Sequence, residues 1–290
     1  MILEGAKIKI LRIFLENWFK ELSIKELVKK SGLGRTWIYK NLNEFIKCGL
    51  VKKKNKLYSL DKNNLLVLNL KQTFDLEKLY TINNEILKEI LSVFDYFKLQ
   101  MGKSLLSFLI VGSTARLKRM PKSDVDFLII STKKEFDIEP KIETNVILLQ
   151  PNEFEKKYID CDDFVLTSLA YGLILYDNNF IVNFLKKPLP FPTTEQIEIK
   201  KELIRKNTER IYKLIEINDL KNANNELKNF VTQSARIKII ENGEIPLSRS
   251  ELAGQLKNNY IKKIITAIIK GYEFKKDEIL EICEKIEDFI

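Results

Sequence analysis

Gly112-Ser113-Thr114-Ala115-Arg116, followed seven residues later by Ser123-Asp124-Val125-Asp126-Phe127, is the stretch that decides how this chain reads. Before it runs Ser107-Phe108-Leu109-Ile110-Val111, an unbroken apolar segment with the pattern of a buried strand. After it runs Leu128-Ile129-Ile130, which extends a second apolar strand from Asp124. Side chains two apart on a strand share a face, so Asp124 and Asp126 point the same way, toward the Gly-Ser turn if the strands are neighbours. A glycine there allows a phosphate to approach the backbone, and a serine hydroxyl with turn amides can bind phosphate oxygens. Two hard carboxylates on one face suit magnesium, which needs only one or two plus the phosphates of its substrate. Residues 114–120 are expected to form a short helix, and Pro121-Lys122-Ser123 a turn. Arg116, Lys118, Arg119 and Lys122 lie between the two halves and can meet phosphates or form a solvated loop.

Composition narrows the chemistry. The chain has 290 residues and no histidine, which excludes His-based triads, His-containing zinc sites and ribonucleases that need histidine. Acid–base or metal chemistry must run on carboxylates, lysines or tyrosines. Cys48, Cys161 and Cys283 are far apart and in no CxxC spacing, so they read as free thiols of a reducing cytoplasm. No apolar run approaches the roughly 20 residues of a bilayer span, and Met1-Ile2-Leu3-Glu4 is unlike a signal peptide, so no membrane partner is expected. The net charge is +9, and the first 60 residues hold all of it, with 14 Lys and Arg against 5 Asp and Glu. Localised positive charge is the footprint of a polyanion partner.

That basic segment has its own pattern. Residues 7–21 are compatible with a helix. Ser23-Ile24-Lys25-Glu26 is a capping box opening a second helix over 24–30. Ser31-Gly32-Leu33-Gly34 is a turn, and a third helix runs over 36–48 to Gly49. In it Ile38, Leu42, Phe45 and Ile46 make one apolar face, while Arg35, Thr36, Tyr39, Lys40, Asn43 and Lys47 fall on the other side. Residues 51–60 read as a hairpin with its tip near Lys54-Asn55-Lys56. Over about residues 5–60 this order resembles the winged helix-turn-helix family of DNA-binding domains. The resemblance implies a third helix in the major groove, with Arg35, Thr36, Tyr39, Lys40 and Asn43 toward the DNA, and a wing whose Lys52, Lys53, Lys54 and Lys56 meet phosphate. The same solvated basic face would also serve a domain used for protein contact or dimerisation, so a homodimer stays open.

The central motifs, over about residues 75–190, resemble the nucleotidyltransferase superfamily that includes DNA polymerase beta, and especially its minimal nucleotidyltransferase branch. What this implies is a mixed sheet flanked by helices. Gly112, Ser113, Arg116, Lys122 and Ser123 would contact the nucleotide. Asp124 and Asp126 would hold Mg2+ or Mn2+, and a hydroxyl would attack the α-phosphate of an NTP, ATP first. Two positions depart from the pattern. The strand Glu143-Thr144-Asn145-Val146-Ile147-Leu148-Leu149 carries Asn145 where the family has a third carboxylate, leaving Glu143, two residues earlier on the same face, as the substitute. Leu117 stands where the minimal branch often has glycine. Three functions therefore stay open: NMP transfer to a protein or nucleic-acid hydroxyl, a DNA-binding regulator that senses nucleotide without turnover, and an antitoxin-like partner of another protein.

Between these parts, residues 65–70 read as a short apolar stretch and 75–100 as one long helix. Lys186-Lys187-Pro188-Leu189-Pro190-Phe191-Pro192 is a boundary. Beyond it, helices are expected over about 193–217, 219–241, 250–257, 258–271 and 275–289, with a second capping box at Ser248-Arg249-Ser250-Glu251. This bundle loosely resembles the helical domains, including the HEPN type, that accompany minimal nucleotidyltransferases. The expected architecture is α+β and multidomain. A winged helix-turn-helix occupies 1–70, a mixed-sheet nucleotidyltransferase domain 71–190, and an all-α bundle 191–290.

Overall fold

A computed structural model describes residues 5–118, 124–133 and 144–290. The chain divides into two compact units. The first takes in Met1–Ile159 and Phe164–Leu189, and the second Asp160–Asp163 and Pro190–Ile290.

The first unit opens with α1 (Ala6–Glu16), β1 (Leu22–Ser23), α2 (Ile24–Ser31), α3 (Arg35–Lys47), β2 (Val51–Lys54) and β3 (Leu57–Leu60). The capping box before α2 forms as expected: Ser23 Oγ accepts from the Glu26 amide, and Glu26 accepts from the Ser23 amide. Gly32 ends α2 at φ 68°, a left-handed stop that glycine adopts without cost. β1, β3 and β2 make a small antiparallel sheet, β3 in the middle. Its hairpin turns through Asn55 at φ 56°, a conformation asparagine tolerates. Ile10, Phe14, Trp18, Leu27, Ile38 and Leu42 fill the core beneath.

The helices that follow differ from the expected single one. α4 runs Leu65–Leu79 and α5 runs Asn84–Met101. The apolar spacing is continuous across the break, but Thr81 Oγ1 bonds the Lys78 carbonyl and Asn83 caps the Glu85 amide, so the chain turns at Tyr80–Asn83. Residues 65–70 begin α4 instead of standing apart, because Asn64 caps the Leu66 amide.

After a 3-10 turn at Gly102–Ser104 come β4 (Leu105–Val111), the one-turn α6 (Gly112–Ala115), β5 (Val125–Ser131), β6 (Thr144–Leu149), α7 (Pro151–Ile159), α8 (Asp163–Tyr171), β7 (Leu173–Asp177) and α9 (Phe180–Leu185). The four strands pair in the order β6-β5-β4-β7, with β5 and β6 parallel and the other pairs antiparallel. This is a mixed sheet with helices around it. Phe108, Ile110, Phe127 and Ile129 face a core with Leu87, Ile90 and Phe97 of α5. Alternation sends Leu109, Leu128 and Ile130 to the opposite face, also buried. α9 has no counterpart in the sequence reading. Asp177 starts it, accepting from the Ile181 and Val182 amides and from Ser107 Oγ.

The second unit is helical: α10 (Thr194–Glu216), α11 (Leu220–Glu241), α12 (Arg249–Gln255), α13 (Asn259–Ile269) and α14 (Lys276–Glu287). Its core includes Ile211, Leu227, Phe230, Leu252, Ile265 and Ile279. Buried Asn224 clasps the backbone of Phe274 on both sides, donating to its carbonyl and accepting from its amide. The capping box at Thr193 forms. The one expected at Ser248 does not, because the Ser248 hydroxyl donates to the Glu251 carboxylate instead of accepting a backbone amide. Among the described residues, no helix is long and apolar enough to cross a membrane.

Candidate active site

The C-terminal end of β4 and the start of β5 form the candidate site. Val111 stands opposite Asp126 in the antiparallel pair, so the Gly112 turn and the first carboxylates of β5 are neighbours. Gly112 has φ 67°, and a Cβ built on it would lie 2.3 Å from Asp126 Oδ2. Only glycine fits, on two independent grounds: backbone conformation, and the carboxylate packed against it. α6 is a single turn, shorter than the helix expected over 114–120. Leu117 ends it at φ 57°, a left-handed conformation that disfavours leucine and would suit glycine. Thr114 is buried, and its hydroxyl has no hydrogen-bond partner among the described residues.

Asp126 is half-buried. Burial pushes its carboxyl above the ordinary range and the neighbouring Asp124 charge adds to this, against the pull of a hydrogen bond from Asn145. That bond, Asn145 Nδ2 to Asp126 Oδ1, is 3.2 Å long, and Asn145 is the register partner of Asp126 in the parallel β5–β6 pair. The residue at the expected third-carboxylate position thus reaches the carboxylate pair, but as a neutral donor. Glu143, Lys122 and Ser123 lie outside the described residues. Among the described residues no cluster of three or more His, Cys, Asp or Glu could hold a metal. A desolvated carboxylate repelled by a second one is nevertheless a donor set that fits a hard divalent cation sharing its shell with phosphate oxygens.

Ser113 is half-exposed at the turn, and its carbonyl accepts from the Lys118 amide. Arg116 is carried on the ring of Tyr171, its guanidinium carbon 4.6 Å from the centroid. Tyr171 was not singled out from sequence. It is 55 residues away, and only the pairing of β4 with β7 brings it near.

The candidate DNA-facing residues are all exposed. Arg35, Thr36, Tyr39, Lys40 and Asn43 lie on the outer face of α3, Lys52, Lys53 and Lys54 on β2, and Lys56 in the hairpin turn. Arg35 stacks 5.7 Å over Tyr39, and Lys53 5.8 Å over Tyr58. Lys52 pairs with Asp61 at 2.8 Å.

No protein-family model matches the chain, and no curated protein matches it. Among solved structures it is similar to a nucleotidyltransferase-like protein from Exiguobacterium sibiricum 255-15. The identity is 17%, over 70% of this chain and 74% of that one, with a TM-score of 0.37. It is also similar to a spectinomycin adenyltransferase from Enterococcus faecialis, solved with ATP and spectinomycin. There the identity is 12%, over 70% of this chain and 98% of that one, with a TM-score of 0.44. Both likenesses are remote.

Proposed function

We propose that the protein transfers NMP from a nucleoside triphosphate, ATP first, to a hydroxyl of a protein or nucleic acid. The observation that carries this is the contact between Gly112 and Asp126, a glycine turn pressed on a carboxylate at adjoining strand ends. It makes one pocket of the two groups that a phosphate chain and its counter-ion require. Gly112 lets the Asp126 carboxylate pack against the turn backbone, and the Ser113 hydroxyl donates to a phosphate oxygen. Arg116, held over the Tyr171 ring, supplies positive charge. Asp124 and Asp126 would hold a magnesium ion, which supplies charge neutralisation of the phosphates. The acceptor hydroxyl attacks the α-phosphorus and pyrophosphate leaves. Catalysis on these residues is mostly positioning.

A second reading, nucleotide binding without turnover, is favoured by Asn145. An amide beside Asp126 positions that carboxylate but cannot take a proton from the acceptor. Labelled ATP with magnesium and candidate acceptors separates the two. Pyrophosphate release that disappears in Asp124→Asn/Asp126→Asn supports transfer. Metal-dependent binding without release supports sensing, and no binding at all contradicts both.

The N-terminal elements are proposed to be a winged helix-turn-helix that holds DNA. On this reading 1–70 bind DNA, 71–190 carry the chemistry, and 191–290 form a separate helical domain. The exposure of every candidate residue on α3 and the hairpin supports the reading. DNA affinity should fall steeply with salt, and the slope should shrink by about 0.9 for each wing lysine that meets a phosphate and is replaced. An affinity flat in salt contradicts it.

A further inference from the structure

The hairpin of β2 and β3 carries four lysines, and the fold engages only two of them. In the antiparallel pair Lys52 stands opposite Ser59, Lys53 opposite Tyr58 and Lys54 opposite Leu57. Val51, Tyr58 and Leu60 are buried, so alternation puts Lys53 on the inner face and Lys52 and Lys54 on the outer one. Lys53 lies over the buried Tyr58 ring, its ammonium 5.8 Å from the centroid. Lys52 reaches the Asp61 carboxylate at 2.8 Å. Asp61 is itself held in place: its amide donates to the Leu50 carbonyl, and its carboxylate accepts from the Asn63 amide. A phosphate arriving at Lys52 therefore meets a fixed carboxylate as well, and the pair offers it no net charge.

The tip of the hairpin differs. β2 ends at Lys54 and β3 begins at Leu57, with Asn55-Lys56 as the turn between them. The residue across from Lys54 is Leu57, apolar and exposed, so no counter-charge faces it from β3. Lys54 and Lys56 are both exposed, and neither makes a hydrogen bond, ion pair or ring contact among the described residues. Two cations this close in the chain, with no acid beside them, repel each other and attract an anion that can lie against both. A nucleic-acid duplex presents phosphates in an evenly repeated row, so both ammoniums can be met at once.

We propose that Lys54 and Lys56 alone make the hairpin's contacts with the phosphates of a DNA duplex, and that Lys52 and Lys53 serve the hairpin itself. This rests on the nucleic-acid reading of the N-terminal elements. It divides four neighbouring lysines of one charge by what the fold already does with each. Lysine meets phosphate as a point charge, so the contact at the tip carries no base preference. Each phosphate met releases counterions from the duplex, which gives the affinity its dependence on salt. A lysine whose charge is already matched by Asp61 adds little to that dependence.

The test is an anisotropy titration of the full-length protein into fluorescein-labelled DNA duplexes of two unrelated sequences, repeated over a potassium chloride series. Wild type is expected to bind both, with affinity falling as salt rises. Lys54→Gln/Lys56→Gln should reduce the slope of log affinity against log salt by about 1.8 for both sequences, two phosphate contacts at about 0.9 each. Lys52→Gln/Lys53→Gln should leave the slope nearly unchanged. Lys54→Arg/Lys56→Arg should keep the wild-type slope, which separates lost charge from a distorted hairpin. Equal slope changes in the two Gln variants, or a change in the Lys52/Lys53 variant alone, overturn the division and leave the nucleic-acid reading standing. So does a Lys54→Gln/Lys56→Gln variant with the wild-type slope, or one whose loss is confined to a single sequence. Wild type that binds neither duplex, or binds with an affinity flat in salt, overturns the nucleic-acid reading itself.

Discussion

Asp177 and Asp126 stand at opposite ends of the strand pairings around β4, and their surroundings differ in kind. Asp177 lies opposite Ser107 near the start of β4. It accepts from the Ser107 hydroxyl and from two backbone amides, Ile181 at 2.9 Å and Val182 at 3.1 Å. Asp126 lies opposite Val111 at the other end. Its one side-chain hydrogen bond among the described residues comes from the Asn145 amide, while burial, and then a second carboxylate, raise its proton affinity. The second unit repeats the first arrangement: Asp163 sits between Lys200 and Arg236, each at 3.2 Å. Carboxylates that build the fold are answered from within the chain. The one beside Gly112 is met by a neutral amide alone, and the proposed cation site rests on that difference.

The largest effect should come from the unanswered end. Asp124→Asn/Asp126→Asn should reduce pyrophosphate release by on the order of 10²–10³-fold, the scale of deleting a charge-stabilising group. Asp177→Asn should leave the activity of the folded fraction unchanged. Equal losses in a release assay would erase the contrast.

Stability should sort the other way, and urea unfolding reads it. Asp177→Ala removes the acceptor for a hydroxyl and two amides and should cost about 2–3 kcal/mol. Asp126→Asn, measured without metal, removes a partly buried charge that a neighbouring carboxylate repels. Its midpoint should hold or rise slightly.

Gly112→Ala probes the glycine beside the carboxylate. The left-handed backbone and the 2.3 Å approach to Asp126 Oδ2 together should cost roughly 1–2 kcal/mol and displace that carboxylate, weakening magnesium-dependent ATP binding. An unfolding curve and ATP affinity both matching wild type would mean the contact is unimportant.

Asn145→Asp should have the smallest effect on the metal-free fold. It replaces a hydrogen-bond donor to Asp126 with a third negative charge and should lower stability by about 1 kcal/mol or less. Thermal unfolding with and without magnesium checks it: the ion should raise the variant's midpoint more than the wild type's. A gain in turnover from the same substitution would show that Asn145 is what restrains the chemistry.

Much of this was legible in the chain, for local reasons. Strand boundaries around Gly112 and Asp126 follow from unbroken apolar runs, and the placement of Asn145 follows from parallel register once β5 and β6 are paired. The capping box at Ser23 was readable because the residues that satisfy it are three positions apart. What could not be read depends on partners distant in sequence or on competition between caps. The break at Tyr80–Asn83 hides in a periodicity that continues on both sides of it. α9 depends on Asp177, which looks like a strand-end residue until Ser107 comes beside it. Tyr171 under Arg116 is set by the β4–β7 pairing and carries no signature of its own.

The most direct test of the central claim is a titration of ATP into the full-length protein, with and without magnesium, beside Asp126→Asn and Asp177→Asn. Magnesium-dependent binding is expected in wild type and Asp177→Asn, and its loss in Asp126→Asn. ATP binding that is absent from wild type, or that survives unchanged in Asp126→Asn, would contradict it.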